Sequence, residues 1–129
     1  MIGIDLIEIS RIERVIERWG DKFLERIFTE KELKKNNVKS PIEEIAARFA
    51  GKEAVSKALG TGLQLMGSKG KVGVSWKEIE IFNRDSGKPF VILSGRAAAV
   101  SKELGFKEIH VGLTHIRNLA QAVAFAEKV

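Results

Sequence analysis

Two ionisable residues occupy positions where a helix is expected to be apolar. Glu53 and Lys57 continue a stripe of helical spacing that is otherwise formed by Ile42, Ala46, Phe49 and Ala50. A carboxylate on a core-facing stripe is costly unless a cation or a metal ion compensates its charge. The positions predicted to face solvent carry the other charges of this segment, among them Glu44, Arg48 and Lys52. Glu53 and Lys57 therefore need a structural or a chemical explanation.

The structural explanation is a buried salt bridge, because residues four positions apart face each other on a helix. The chemical explanation draws on a second acid, Asp5, which interrupts the apolar, strand-like segment 1–9. Two carboxylates from different elements can converge on one hard cation, and Mg²⁺ is typically held by one or two carboxylates together with substrate phosphates. Asp5, Glu53 and Lys57 thus form a candidate site for metal-assisted chemistry on a phosphate.

The composition indicates one folded domain with an anionic partner. The chain has 129 residues, 44% hydrophobic and 30% charged, with a formal net charge of +5, and its length predicts a single domain over 1–129. No apolar run approaches the roughly 20 residues of a membrane span, and the strand-like start is unlike a signal peptide. Cysteine is absent, which excludes disulfides and thiolate chemistry. We expect a cytoplasmic protein whose partner is a nucleic acid, a nucleotide cofactor, an acidic protein or a membrane surface.

The first half of the chain is predicted to be helical after its opening strand. Capping boxes mark three helix starts, at Ser10, Thr29 and Ser40. The first helix is predicted to end at Gly20, a short helix to follow over 22–27, and the third capped helix, which carries the apolar stripe, to end at Gly60. The segment 60–71 is predicted to be a loop.

The second half alternates like strands. The predicted elements are strands over 77–82 and 88–93 with a turn between them, a helix over 96–104, and strands over 107–114 and 119–127. The last strand is apolar on both faces, so we expect it to be buried on both sides. Helices first and an antiparallel sheet later make an α+β domain, with N-terminal helices packed on a mainly antiparallel sheet.

The order of the motifs resembles a known family. Gly3-Ile4-Asp5 lies in the opening strand, and the segment 48–62 reads Arg-Phe-Ala-x-Lys-Glu-Ala-x-x-Lys-Ala-x-Gly-Thr-Gly. Gly87-Lys88-Pro89 lies in the predicted hairpin, and a strand near the C-terminus ends at His115. Together these motifs cover essentially the whole chain, and they resemble the short holo-acyl-carrier-protein synthases, the phosphopantetheinyl transferases of fatty-acid synthesis.

The resemblance implies a reaction in which coenzyme A gives its 4′-phosphopantetheine arm to a serine of acyl carrier protein and adenosine 3′,5′-bisphosphate is released. Members of the family bind Mg²⁺ through the Asp of the strand and the Glu of the helix, which match Asp5 and Glu53. The helix lysine matches Lys57, which we expect to contact the pyrophosphate. Glu53, Asp5 and a metal-bound water all remain open as the acceptor of the serine proton.

The resemblance also implies binding surfaces. Coenzyme contacts are expected at Arg48, on the side of the 3′-phosphate, and at Gly60, Thr61, Gly62, Lys88, Pro89 and His115. The acidic carrier protein is expected on the basic surface of the early helices, at Arg11, Lys22 and Arg26. Because the family assembles as trimers with sites between subunits, we expect a homotrimer, with neither nucleic acid nor a membrane as partner.

Two alternatives remain at this stage. A non-catalytic module that binds nucleic acid would explain the positive charge, but it leaves Asp5 and Glu53 without a role, since carboxylates do not help to bind phosphate without a metal. A different metal-dependent nucleotide enzyme on the same domain would use the same acids. The chain also departs from the family pattern at Ile116, where members usually carry a hydroxyl or acidic residue, and at Gly51, where alanine is common.

Overall fold

The computed structural model describes residues 1–35, 41–63 and 73–129, and in these ranges helices and strands follow the predicted order. The helices are α1 (Ile9–Trp19), α2 (Asp21–Ile27), α3 (Glu30–Lys35), α4 (Ile42–Ala58) and α5 (Gly95–Glu103), with a 3-10 helix over Trp76–Glu78. The strands are β1 (Ile2–Glu8), β2 (Ile79–Asn83), β3 (Pro89–Leu93), β4 (Phe106–His115) and β5 (Leu119–Lys128). The predicted α+β class is confirmed. Most of the predicted loop 60–71 lies outside the described residues.

A three-stranded antiparallel sheet in the order β1-β5-β4 packs one face on α4, while β2 and β3 form a separate antiparallel hairpin. Small side chains allow this close packing. Buried alanines line it at Ala46, Ala50, Ala54 and Ala58 of α4 and at Ala120, Ala122, Ala124 and Ala126 of β5. The approach is tightest at Gly3, where an added Cβ would lie 1.8 Å from the Ala54 carbonyl oxygen. No helix among the described residues has the length and apolar character that crossing a bilayer requires.

Strand β1 passes into α1 with no residue between them. Glu8 ends the strand and is the N-cap residue, and its side chain makes no capping hydrogen bond. The backbone N–H of Ile9 instead donates to the Asn118 carbonyl, at 3.0 Å. The predicted capping box at Ser10 is therefore wrong, because a neighbouring turn already satisfies the start of the helix and Ser10 falls inside its first turn.

The two other predicted helix starts have different outcomes. At Thr29 the capping box is confirmed: the Thr29 N–H donates to Glu32 Oε1 and the Glu32 N–H donates to Thr29 Oγ1, both at 3.1 Å. The box at Ser40 lies outside the described residues. Helix α4 itself begins at Ile42, with Pro41 as its N-cap residue.

The faces of α4 differ from the prediction. Arg48 and Lys52, which we expected in solvent, are buried with 6% and 0% exposure, whereas Glu53 is half-buried and the Lys57 side chain is 49% exposed. The reason is tertiary: α4 contacts the sheet on one side and α1 and β2 on others, so its buried surface is wider than a single stripe. Burial lowers the pKa of Lys52, an effect that the adjacent Glu32 carboxylate opposes.

Strand β5 is buried on only one side of this chain, so the prediction of burial on both sides is wrong for the single subunit. Its alanines face α4, but Val123 and Phe125 are 45% and 49% exposed. They pair with Ile4 and Ile2 of β1, which are also exposed. Together with Leu6, these four residues form an exposed apolar surface on the outer side of the sheet, called the outer sheet face below.

Candidate active site

Asp5 and Lys57 meet where β1 crosses α4. The Lys57 ammonium donates to Asp5 Oδ1 and to the Ile4 carbonyl, both at 3.0 Å. The Asp5 side chain is only 13% exposed, so this ion pair is partly shielded from solvent. The ammonium thus pairs with Asp5, and not with Glu53 as the structural explanation from i,i+4 spacing required.

Glu53 lies within the electrostatic reach of Asp5. Burial raises the pKa of Glu53, and the negative charge of Asp5 raises it further, while Lys57 and Arg11 act in the opposite direction. Among the described residues, no hydrogen bond or ion pair engages the Glu53 carboxylate itself; only its backbone carbonyl accepts, from Ser56 Oγ at 2.6 Å. The structure therefore brings Asp5, Glu53 and Lys57 together from positions that lie up to 52 residues apart.

We expect the raised pKa of Glu53 to make the metal-free fold less stable as the pH rises. The folded chain holds this proton more tightly than the unfolded chain, so between the ordinary and the raised pKa the unfolded state ionises first. Below this window both states are protonated and no penalty exists. The metal-free Glu53→Gln variant should therefore be as stable as the wild type in acid and more stable than the wild type at neutral pH. Urea unfolding in the presence of a chelator, from about pH 4 to pH 8, measures this difference. A difference in stability that stays constant over this range would contradict the expectation.

The donor set suits a magnesium ion. Asp5 and Glu53 supply hard carboxylate oxygens from two different elements, which is the ligand type that Mg²⁺ prefers. Part of the rise in the Glu53 pKa comes from the neighbouring negative charge, and a divalent cation between the two groups would relieve that repulsion. Glu53 also has its carboxylate unengaged by the described residues, so its oxygens are available to a ligand.

A cavity of about 680 Å³ opens beside Glu53 and Lys57 between α1, α2 and α4. Its walls are mainly apolar, formed by Ile12, Val15, Trp19, Phe23, Phe49, Leu63 and Trp76. The Phe49 and Trp76 rings stack with their centroids 4.7 Å apart, which fixes one wall. The cavity is of the size that holds a small organic ligand or the side chain of a partner.

The same cavity is lined by Arg11, Lys22 and Arg26, the three basic residues predicted to bind a partner. They come from α1 and α2, so two helices place cations around an apolar opening next to the Glu53 carboxylate. An acidic molecule approaching this surface would be guided toward Glu53. The structure therefore joins the predicted partner residues with Glu53 and Lys57 at one cavity.

A second, smaller cavity of about 160 Å³ collects part of the predicted coenzyme set. Arg48, Pro89 and His115 line it together with Gly87 and Asn83. Arg48 Nε is buried without a hydrogen-bond partner among the described residues, and the ion pair to Glu44 is long, at 3.7 Å. A nearly buried guanidinium with unused donors is suited to bind an anion. Within the described ranges the two cavities share no lining residue.

The remaining predicted coenzyme residues do not lie together in one cavity. Gly62 lines the larger cavity, but the backbone N–H groups of Thr61 and Gly62 both donate to the Ser56 carbonyl at 3.2 Å and so close the end of α4. The Gly60 N–H donates to the Lys57 carbonyl in the same way. Lys88 is exposed beside Pro89 and does not line the smaller cavity. The amides of Gly60 to Gly62 are thus engaged within the helix end.

Several lining residues were missed by sequence reasoning. Asn83 was predicted only as part of a turn, and Ser56, Leu63 and Trp76 carry no chemical signal in the sequence. Helical periodicity marks which residues are buried, but it does not reveal which of them border an opening. The proximity of Trp76 to α4 could be learned only from the fold.

An acidic cluster lies elsewhere, on the exposed surface of β4 and β5. Ligand atoms of Glu108, His110 and Glu127 lie within 4.8 Å of one another, and all three residues are exposed. His110 Nε2 lies 3.2 Å from Glu127 Oε2. Neither cavity includes these residues, so this cluster is separate from the site formed by Asp5, Glu53 and Lys57.

Comparison with known proteins agrees across sequence and structure. The family model described as the 4'-phosphopantetheinyl transferase superfamily matches residues 1–124. A holo-[acyl-carrier-protein] synthase of Caldanaerobacter subterraneus subsp. tengcongensis is 43% identical over 128 residues, covering 97% of this chain and 92% of that protein. One from Chlamydia trachomatis serovar L2 is 45% identical over 130 residues, covering 98% of each.

Solved structures lead to the same group. The Helicobacter pylori holo-[acyl-carrier-protein] synthase in complex with coenzyme A superposes with a TM-score of 0.81 at 31% identity, over 98% of this chain and 100% of that one. The Bacillus anthracis enzyme in complex with coenzyme A (3',5'-ADP) gives a TM-score of 0.76 at 37% identity, over 99% and 96%. This chain belongs to the holo-[acyl-carrier-protein] synthase family of the 4'-phosphopantetheinyl transferase superfamily.

Proposed function

We propose that this chain transfers the 4′-phosphopantetheine arm of coenzyme A to a serine of apo acyl carrier protein, that it requires Mg²⁺, and that it serves fatty-acid synthesis in the cytoplasm. One observation carries the proposal: Asp5, Glu53 and Lys57 meet beside a cavity with cations at its rim. The rim fits an acidic protein partner, and the carboxylates with the ammonium fit a metal-bound diphosphate.

In the proposed reaction the serine oxygen bonds to the phosphorus at the pantetheine end of the diphosphate. The bond from that phosphorus to the bridging oxygen breaks, and adenosine 3′,5′-bisphosphate leaves with the bridging oxygen. Lys57 offers positive charge to the nonbridging oxygens, on which negative charge builds. Glu53, with its raised pKa, and Asp5 are the site carboxylates that can take the serine proton.

Asp5 and Glu53 are the residues that would hold Mg²⁺. The ion would supply charge neutralisation at the diphosphate oxygens. The Lys57 ammonium lies 3.0 Å from Asp5 Oδ1. It is therefore in place to contact a diphosphate that an ion would hold beside that carboxylate. The apolar cavity beside Glu53 offers room for the arm and for the incoming serine-bearing loop.

We assign the smaller cavity to the nucleotide end of coenzyme A. The buried Arg48 guanidinium, with an unpartnered Nε, offers a counter-charge for the 3′-phosphate. Arg48 and Glu53 are five residues apart on α4, which separates them by about 7.5 Å along the axis and about 140° around it. One coenzyme molecule would more readily span the carboxylate site of one subunit and the Arg48 cavity of another, which fits a site between subunits.

A homotrimer is the assembly we propose, and the outer sheet face supports it. Ile2, Ile4, Leu6, Val123 and Phe125 present large apolar side chains on adjacent strands. A contiguous apolar surface of this kind commonly marks a protein–protein contact. Burial of this face would also give β5 the second covered side that its sequence predicts.

We expect the wild type to sediment as a trimer, at three times the chain mass of 14.3 kDa, and Phe125→Glu to sediment as a monomer. An unpaired charge buried in an apolar contact costs several kcal/mol, and this cost recurs at each contact between subunits. Lys128→Glu, an exposed change on the same strand, should leave the trimer intact. A wild type that is monomeric at micromolar concentration would contradict the proposed assembly.

The function is tested by mass spectrometry of apo acyl carrier protein incubated with coenzyme A, Mg²⁺ and this chain. The expected result is a mass gain of one phosphopantetheine on the carrier and release of adenosine 3′,5′-bisphosphate. The same mixture with a chelator in place of Mg²⁺ should leave the carrier unchanged. An unmodified carrier in the presence of Mg²⁺, together with tight RNA binding by the chain, would favour the nucleic-acid alternative.

A further inference from the structure

One charged residue next to Glu53 has no part in the reaction described above, and it is the best satisfied lysine of the described structure. Lys52 has 0% exposure, and its Nζ donates to Glu32 Oε1 at 2.7 Å, to the Trp76 carbonyl at 3.0 Å and to the Ile79 carbonyl at 2.5 Å. An ammonium has three donors, so its hydrogen-bonding capacity is filled. These contacts join α4 to the 3-10 helix and to the start of β2.

Its partner Glu32 is equally engaged. Glu32 is 1% exposed; Oε1 accepts from Lys52 and from the Thr29 N–H, and Oε2 accepts from the Ile81 N–H at 3.1 Å. The pair therefore connects α3, α4 and β2 at one buried point. A buried ion pair seldom adds net stability compared with apolar residues of the same volume, so its presence favours a role in fixing geometry.

Glu53 needs such a constraint from outside its own side chain. Among the described residues nothing holds its carboxylate by a hydrogen bond or ion pair, so its position depends on the backbone of α4 and on the cavity wall beside it. The three directed hydrogen bonds of Lys52, one residue before Glu53, fix α4 against the 3-10 helix and the start of β2.

We infer that Lys52 and Glu32 are positioning residues that hold the Glu53 carboxylate at the angle needed for binding the divalent ion, an inference that rests on the proposed function. Neither residue touches the coenzyme or the carrier protein in this scheme. The pair also holds the Trp76 carbonyl, and the Trp76 ring forms the wall of the cavity next to Glu53. Loss of the pair should therefore weaken the binding of the divalent ion more than the binding of coenzyme at Arg48.

The test uses the full-length chain and the double variant Glu32→Gln with Lys52→Met. Changing both partners avoids leaving one buried charge alone, which would unfold many molecules. Mn²⁺ serves as the probe, with its affinity measured by electron paramagnetic resonance in the presence of 3′,5′-ADP. We expect affinity for Mn²⁺ to fall by about 10- to 100-fold, as when a group that orients a metal ligand is removed.

A variant that is destabilised away from the site separates positioning from general destabilisation. Ile27→Ala removes a fully buried side chain of α2 that lines neither cavity. It should lower the melting temperature yet keep the wild-type Mn²⁺ affinity. Wild-type Mn²⁺ affinity in the folded double variant would overturn the inference and leave the proposed function standing. If the wild type itself neither binds Mn²⁺ nor modifies the carrier, the proposed function falls and this inference falls with it.

Discussion

Glu53→Gln is expected to abolish transfer of phosphopantetheine while the chain keeps its fold and its assembly. The change preserves the volume of the side chain but removes the negative charge that would hold Mg²⁺ together with Asp5. Loss of one of the two proposed charged ligands should cost about 4 kcal/mol of transition-state stabilisation, which corresponds to about a thousandfold in rate. The fold should survive because the Glu53 carboxylate, among the described residues, makes no hydrogen bond that the amide would break.

Mass spectrometry of the carrier protein at saturating Mg²⁺ measures this loss, and circular dichroism checks the fold. Glu103→Gln is the matched control, since Glu103 is an exposed carboxylate on α5 that lines neither cavity. It should transfer at the wild-type rate. Transfer by Glu53→Gln at the rate of this control would show that Glu53 is not a metal ligand.

Gly3→Ala should produce the largest loss of stability among the single substitutions considered. A Cβ at this position would lie 1.8 Å from the Ala54 carbonyl oxygen and 2.6 Å from the Ala58 nitrogen. These are backbone atoms inside a helix, so they cannot move aside as a flexible side chain would, and β1 must separate from α4. We expect a loss of about 4 kcal/mol or more, a large part of the roughly 5–15 kcal/mol that stabilises a typical domain.

Urea unfolding measures the effect of Gly3→Ala, or its soluble yield does if the protein fails to fold. Gly112→Ala is the control, because its new Cβ would meet only a side-chain atom, Val123 Cγ1, at 3.3 Å. That variant should lose little stability. A Gly3→Ala protein with wild-type stability would mean that β1 lies farther from α4 than the structure has it.

The sequence carried enough information to predict the element order and the meeting of two acids. The alternation of apolar and polar residues in β1 and β4, and the helical spacing of apolar residues in α4, follow from the regular backbone geometry of strands and helices. The misfit of Asp5 and Glu53, each acidic where its neighbours are apolar, indicated that the two could converge, and the resemblance to the family implied that they do. The role of these two acids in binding a metal remains a prediction.

Features that depend on contacts between distant parts of the chain could not be predicted from periodicity and local motifs. Lys52 looked like a solvent-facing residue, because its partner Glu32 lies 20 residues away on another helix. Arg48 was also expected in solvent, because its burial comes from the packing of α4 against other elements and not from its place in the helical pattern. Gly51 departs from the alanine common in the family, and the structure gives a cause: an added Cβ would lie 2.7 Å from Ile81 Cδ1 and 2.8 Å from Leu113 Cδ2, which already fill the space.

The direct passage of β1 into α1 has a mechanical consequence for how a carrier protein would be chosen. Arg11 on α1 and Asp5 on β1 belong to two elements that follow each other directly, with no loop between them to absorb a tilt. A carrier protein that binds to α1 would therefore place its serine at a fixed distance from Asp5. Discrimination between carriers would then depend on the shape of their surfaces, because no loop between β1 and α1 is present to adjust to a poor fit.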